Sequence, residues 1–325
     1  MTGGAGFIGS HVVDELVDQG HEVMILDDLS GATGKWINRK AIFYRMSVAS
    51  FIAYATVKLF SPHEVWHLAA NAREGGSWFQ PENVVRRNSY GVTNILEAAI
   101  AGGDLERFVF FSSMSVYGDQ EPPFREDMEP KPENPYAVSK YAAERYVSLL
   151  ADLYGFKWVI IRPHNVFGER VFRQDKLRNV VAIFANQILL GEPIYIYGDG
   201  QNLRAHSYIY DCIGPIMKAG QTLENEIINI GGEQAFTIQE TADLVIDAMG
   251  KDYWPIEYLP GRYREVPFAF SDHAKARNLI DFHEEIGAEV GIARVCEEFA
   301  AEGPVKYVDV EPLTLSSEKM PETWK

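Results

Sequence analysis

The run Thr2-Gly3-Gly4-Ala5-Gly6-Phe7-Ile8-Gly9-Ser10 constrains the fold more than any other stretch. Glycines three apart permit a tight turn, close approach of a bulky anion and close packing of a following helix. That helix is legible in Val12, Val13, Leu16 and Val17, spaced to bury one face. Unpaired N–H groups at its start favour a phosphate. Glu22-Val23-Met24-Ile25-Leu26 then reads as a strand ending in Asp27-Asp28. An acid about 20 residues after the glycines suits the ribose hydroxyls of a dinucleotide, which favours NAD over NADP. Such a fold also needs a buried strand before the glycine turn. Only Met1 precedes Thr2, so either the sequence begins at an internal methionine or the central strand is missing.

The chain continues as an alternation. Residues 41–46 and 65–69 read as short buried strands around an apolar helix at 51–60. His63-Glu64-Val65-Trp66-His67 matches the His-Glu-x-x-His pattern, whose zinc chemistry needs a helix. Here the run continues as a strand, which at about 3.3 Å per residue holds the imidazoles roughly 13 Å apart. No metal site is expected. Residues 82–101 read as a helix carrying Asn88. Strand 108–111 then delivers Ser112-Ser113-Met114-Ser115 at its carboxyl end, where open α/β sheets place ligands.

Asn134-Pro135-Tyr136-Ala137-Val138-Ser139-Lys140-Tyr141 opens a helix that runs to about Tyr154. Pro135 suits the first turn. Tyr136 and Lys140, four apart, project from one face. A lysine ammonium beside a phenol favours phenolate and lowers a pKa that is normally about 10. Tyr136 is therefore expected to shuttle protons near neutral pH. With the strand at 158–161, the order implies right-handed crossovers and an α/β, doubly wound parallel sheet of Rossmann type.

After Gly168 the alternation fades, and the later elements (helices at 179–190 and 237–249, strands at 194–197 and 227–230) read as a smaller C-terminal substrate-binding domain. The expected organisation is a cofactor domain at 1–165 and a substrate domain at 166–302, partly interleaved with the first. A polar tail at 303–325, without periodicity, is expected to be mobile. A formal charge of -16 argues against nucleic acid or an anionic membrane as partner, so an anionic substrate would need locally placed arginines. The two cysteines, Cys212 and Cys296, lie too far apart to suggest a disulfide framework. No signal peptide or membrane-length apolar run is present, so a cytoplasmic protein is expected.

With the glycine turn, Asp27, Ser113, Tyr136 and Lys140 in place, the chain resembles the extended short-chain dehydrogenase/reductase family, and within it the NAD-dependent nucleotide-sugar epimerases and dehydratases. The resemblance runs from Thr2 to about Phe299. It implies that Gly3, Gly6, Phe7, Ile8, Gly9, Asp27, Asp28, Leu68, Ala69 and Asn88 serve the cofactor, together with Tyr136 and Lys140. Ser113, Tyr136 and Lys140 match the catalytic trio. Asn165, Asn179, Tyr197, Arg204 and Arg262 match positions that hold the nucleotide diphosphate and base. Ala269 falls beside the sugar's C2, where its small side chain leaves room for an acetamido group.

Two departures stand out: Ser47 replaces an aspartate near the adenine, and Ala72 replaces a lysine near the cofactor phosphates, although Arg73 is adjacent. The implied activity is epimerisation at C4 of a UDP-hexose or UDP-N-acetylhexosamine through a 4-keto sugar. A 4,6-dehydratase or a decarboxylase is the alternative. It would need an acidic group where Met114 and Ser115 stand. A non-catalytic NAD-binding sensor or scaffold is the rival of another class. The resemblance also implies a homodimer that packs the helices at 82–101 and 136–154 against their copies.

Overall fold

Met1 and Thr2 stand in the middle of the main sheet of this computed structural model, which describes residues 1–324. The first elements are α1 (Phe7–Asp18), β1 (Met24–Asp27), β2 (Ile42–Arg45), α2 (Phe51–Phe60) and β3 (Glu64–His67). The Thr2 N–H donates to the Trp66 carbonyl at 2.9 Å, and the Thr2 carbonyl accepts from Leu68 N–H at 3.1 Å. On the other side, Gly3 N–H donates to the Leu26 carbonyl at 2.9 Å. The central strand is thus represented by two residues that bridge β1 and β3 in parallel. They deliver the glycine turn to the carboxyl ends of both neighbours.

The chain continues through α3 (Pro81–Val84), a π-helical turn (Val85–Tyr90), α4 (Gly91–Gly102), β4 (Arg107–Phe111), α5 (Pro135–Tyr154) and β5 (Lys157–Pro163). Every pairing in the large sheet is parallel, in the order β2, β1, Thr2, β3, β4, β5. Strand alternation divides the core between the two faces. Val109 and Phe111 point to the side of Val12, Val13 and Leu16 of α1, while Phe108 and Phe110 point to Val92, Ile95, Ala143 and Val147. β2 departs from the expectation of a buried strand. It is an edge with one neighbour, and Ile42 and Tyr44 are 41% and 43% exposed. Of the His-Glu-x-x-His run, Glu64 to His67 form β3 and His63 lies just before it, so the run is not helical.

Beyond β5 come β6 (Val166–Phe167), α6 (Val180–Leu190), β7 (Ile194–Tyr197), β8 (Leu203–Ala205), β9 (Ser207–Tyr208), α7 (Ile209–Thr222) and β10 (Glu226–Ile230). They are followed by β11 (Ala235–Thr237), α8 (Ile238–Ala248), β12 (Ile256–Leu259), β13 (Phe268–Ala269), α9 (Ala274–Ile280) and α10 (Ala288–Glu302). β10 pairs in parallel with β5 and so extends the large sheet. β7 pairs with β12, and β8 lies between β11 and β13 in a separate small sheet.

The tail beyond Gly303, expected to be mobile, is packed. Val308 N–H bonds the Gln174 carbonyl, and Thr314 and Leu315 both donate to the Phe79 carbonyl. Met320 and Trp324 are buried with Phe79, Trp78, Leu177 and Leu313. Its few apolar residues are too sparse to show a period, but they meet an aromatic surface that only the folded chain assembles.

Candidate active site

The glycine turn forms one wall of a cavity at the carboxyl end of the sheet. Gly3 holds φ at +70°, and a Cβ there would lie 2.6 Å from the Ala69 nitrogen. A Cβ on Gly9 would lie 2.1 Å from the Gly3 carbonyl oxygen, so α1 can approach the turn only with glycine at that position. Gly6 is the N-cap of α1 and brings no side chain to its first N–H groups, which stay open to an anion. Asp27 is almost buried. Its Oδ2 accepts from Ala5 N–H at 3.0 Å and its Oδ1 from Leu29 N–H at 2.8 Å. These bonds leave lone pairs free on each oxygen, while burial pushes the carboxyl pKa up.

Gly3, Gly6, Phe7, Ile8, Gly9, Asp27, Asp28, Leu68, Ala69, Tyr136 and Lys140 all line this cavity, with Met46, Val48, Ser112 and Pro163. The Ser112 hydroxyl is buried there without a hydrogen-bond partner. A cradle that Cβ atoms would fill, an open helix start, a carboxylate at the end of β1 and an orphaned hydroxyl together fit a dinucleotide such as NAD.

One expected cofactor residue, Asn88, is placed otherwise. Asn88 is fully buried behind the cavity rather than on its wall. Its Oδ1 accepts from Asn71 N–H at 2.8 Å, and its Nδ2 donates to the Asn71 carbonyl at 2.9 Å and to Ser139 Oγ at 3.1 Å. It sits in the π-helical turn, a distortion that recurs at functional sites. From there it locks the loop after β3 to α5. Asp28 is tied to Arg87 at 2.8 Å and to Ser30 N–H. Ser47 accepts from Ala49 N–H within its own turn.

α5 is capped as its sequence dictates: Asn134 Oδ1 accepts from Ala137 N–H at 2.8 Å, and Pro135 follows at the first position. Tyr136 and Lys140 are both buried on its inner face. Ser113, two residues beyond β4, lowers the Tyr136 phenol's pKa and shares a 2.7 Å contact with the Ser115 hydroxyl.

The electrostatics differ from expectation. Lys140 Nζ donates to the Phe111 carbonyl at 2.7 Å and lies over the Phe110 ring. Burial, above all, brings its pKa down to about 7. The Tyr136 phenol is pushed up to about 12, chiefly by burial, with Glu74 adding to the rise and Ser113 and Arg178 opposing it. Lys140 is not among the groups that tune the phenol. Sharing a helix face fixes its direction, but the free β4 carbonyl captures its ammonium.

A second cluster adjoins the first. Arg262 lies over the Tyr197 ring at 5.3 Å, and its Nε donates to Glu265 at 2.8 Å. Glu265 also faces Arg204 at 3.4 Å, and Arg204 donates to the Val266 and Pro267 carbonyls. Burial lowers the Arg204 pKa. Arg262 is raised, because Glu265 outweighs its burial.

Glu74, in the loop after β3, accepts from Asn134 Nδ2 at 2.9 Å and feels both arginines as well as Tyr136. Though open to the cleft, it is crowded enough that burial raises its pKa. Asn165 Nδ2 bonds the Ala205 carbonyl. Asn179 caps α6 and reaches the Val166 carbonyl, so both are engaged in holding β6 and β8. Ala269 is buried against Met114, Val116, Tyr117 and Phe124.

Sequence reasoning missed Glu74, Glu265 and the tail. The tail closes on this cluster through Thr323, bonded to Tyr197, and Trp324, edge-on to the same ring at 6.2 Å. Only the position of Glu74, just past a strand's carboxyl end, carried a signal.

A doubly wound sheet with a glycine turn, an acid at the end of β1, and Tyr136 and Lys140 lining one cavity defines an NAD-linked enzyme of the extended short-chain dehydrogenase/reductase type. The chain belongs to the NAD dependent epimerase/dehydratase family, whose sequence profile matches residues 1–231. It is 34% identical over 297 residues to a putative UDP-glucose 4-epimerase of Methanocaldococcus jannaschii, covering 91% of this chain and 96% of the relative. The UDP-glucose 4-epimerase of Thermotoga maritima, solved with UDP-glucose, superposes with a TM-score of 0.86 at 34% identity, covering 93% of this chain and 98% of that one. The Thermus thermophilus UDP-glucose 4-epimerase, solved with NAD, gives a TM-score of 0.86 at 32% identity over 92% of this chain and 97% of that one.

Proposed function

We propose that the protein epimerises a nucleotide sugar at C4, with a UDP-hexose or UDP-N-acetylhexosamine as substrate. The observation that carries this reading is Tyr136 on the wall of the cofactor cavity with Ser113 acting on its phenol, and no acid or base at Met114 or Ser115. NAD, when bound, supplies the hydride acceptor. Tyr136 takes the proton of the sugar 4-hydroxyl as the C4 hydrogen leaves with its electron pair, which produces a 4-keto sugar. Ser113 holds the reacting oxygen. The sugar turns over, hydride returns to the opposite face, and Tyr136 gives the proton back. A dehydratase needs an acid–base pair after Ser113 and a decarboxylase needs a carboxylate at residue 115, so neither fits these side chains as well. A sensor without activity would not need the trio intact.

Arg204, Arg262 and Tyr197 are assigned to the diphosphate and base of the substrate. Charge-assisted pairing to an anion is the strongest polar contact such a site can make. Assay of purified protein against a panel of UDP-sugars tests the assignment, since the reading fails if no C4 epimer forms from any of them.

The proposed assembly is a homodimer, in the cytoplasm, through the helices at 81–102 and 135–154. The support is an apolar face that this chain leaves uncovered there: Val85, Tyr90, Val138, Leu149 and Leu153 are each at least half exposed. A monomer by sedimentation at micromolar concentration would contradict it. No helix of the described residues is long and apolar enough to cross a membrane.

A further inference from the structure

Ala72 lines the cofactor cavity but carries no charge, and the adjacent Arg73 is not available to replace one. Arg73 is 5% exposed, with Nε on Asp175 at 2.7 Å and a terminal nitrogen on the Glu311 carbonyl at 2.8 Å. The other cavity cations are also committed. Lys140 holds the Phe111 carbonyl, and Arg87 pairs with Asp28 and Glu311.

Arg178 is the exception. It lines the same cavity and has no hydrogen-bond or ion-pair partner among the described residues. It is exposed, in the segment between β6 and α6. One of its terminal nitrogens reaches to 3.9 Å from where a Cβ on Gly31 would lie, at the end of the cavity marked by Asp27. Its charge also acts on Tyr136 and Lys140 at the opposite end. An arginine that lines the cavity beside Gly31, and whose charge is felt at Tyr136 and Lys140, is placed to meet an anion held between them. The protein's -16 net charge makes an uncompensated arginine at such a place conspicuous.

We propose that Arg178 is the cation that anchors the cofactor in this chain, its guanidinium pairing with the pyrophosphate while the start of α1 meets it from the glycine turn. The proposal rests on the NAD-binding reading of the cavity. A planar guanidinium engages two phosphate oxygens at once, which a lysine cannot reproduce.

The test compares wild-type full-length protein with R178A and R178K. It measures the NAD recovered after purification and dialysis, and the Kd values for added NAD and for UDP. R178A is expected to weaken NAD at least tenfold and UDP less than twofold, with R178K in between. The dependence of NAD affinity on salt should be shallower in R178A than in wild type. Because Arg178 is exposed and has no hydrogen-bond or ion-pair partner among the described residues, the far-UV circular dichroism of R178A should match wild type.

Unchanged NAD affinity in R178A overturns the proposal, as does a tenfold loss for UDP with NAD unaffected. The latter would assign the guanidinium to the substrate's diphosphate. Failure of the wild type itself to bind NAD would instead remove the cofactor reading, a result distinct from equal binding by both proteins.

Discussion

Arg162, at the end of β5, grips Glu144 on α5 through two parallel hydrogen bonds of 2.9 and 2.7 Å, and both side chains are almost fully buried. Glu144 lies one turn beyond Lys140, so this pair fixes α5 against the strand beside it. The guanidinium also stacks on Tyr117 at 4.7 Å. Removing one partner strands a buried charge. E144A is expected to lose about 3–5 kcal/mol of stability in urea titration, whereas replacing both residues by apolar ones of similar volume should recover much of that loss. A loss under about 1 kcal/mol in the single variant would show that the pair does not brace the helix.

Asn88 makes a comparable prediction at the other side of α5. Replacing it with alanine leaves the Asn71 N–H and carbonyl without these partners in a buried place and removes the donor to the Ser139 hydroxyl, which keeps only its bond to the Tyr136 carbonyl. The expected cost is about 1–3 kcal/mol of stability. Because the affected residues border the cofactor wall and Lys140, N88A should lower kcat and NAD retention more than it raises KM for the sugar nucleotide. A change confined to that KM would contradict the assigned role.

Much of this arrangement is legible in the chain itself. The glycine spacing, the acid at the end of β1, the serines after β4 and the Tyr136–Lys140 spacing locate the cavity, because each is a local rule of turn, strand end or helix face. What the sequence conceals depends on partners distant along the chain. β10 reads like a strand of the second half, yet its five residues join the large sheet beside β5. Asn88 reads as a pocket residue, yet it points to Asn71 and Ser139. Lys140 is on the expected face, but its partner is a carbonyl 29 residues earlier. The tail shows no period because side chains from separate segments, Trp78 and Phe79, Leu177 and Tyr197, supply its packing surface.

The histidines predict a pH effect. Burial holds His67 down to about 3 and His11, His206 and His273 down to about 4, and it places His164 well below its usual value. An unfolded histidine binds a proton near pH 6.5 and these folded ones do not. Their contribution to stability is therefore complete above about pH 6.5 and is lost as pH falls toward 4. Carboxyls raised by burial, such as Asp27 and Glu74, act with the opposite sign. Ring-nitrogen shifts in NMR read the histidines alone, and five should remain neutral at pH 5.5. Charged rings at that pH would contradict the burial argument.

Ala269 sits behind Met114, the residue next to Ser113. Tyrosine there should crowd the sugar's C2 side, so A269Y is expected to depress activity on UDP-N-acetylglucosamine far more than on UDP-glucose. Equal loss on both would mean that residue 269 does not gate the pocket.

The central claim is that the Tyr136 phenol moves the proton of the reacting hydroxyl. With its pKa raised to about 12 by burial, only a small fraction is phenolate at neutral pH, so wild-type turnover should rise with pH across the neutral range. The most direct measurement is C4 epimerisation by Y136F, made alongside the NAD that co-purifies. The account predicts turnover reduced by at least about a hundredfold, as befits loss of a general base, with bound NAD unchanged. Turnover within a few-fold of wild type would contradict it.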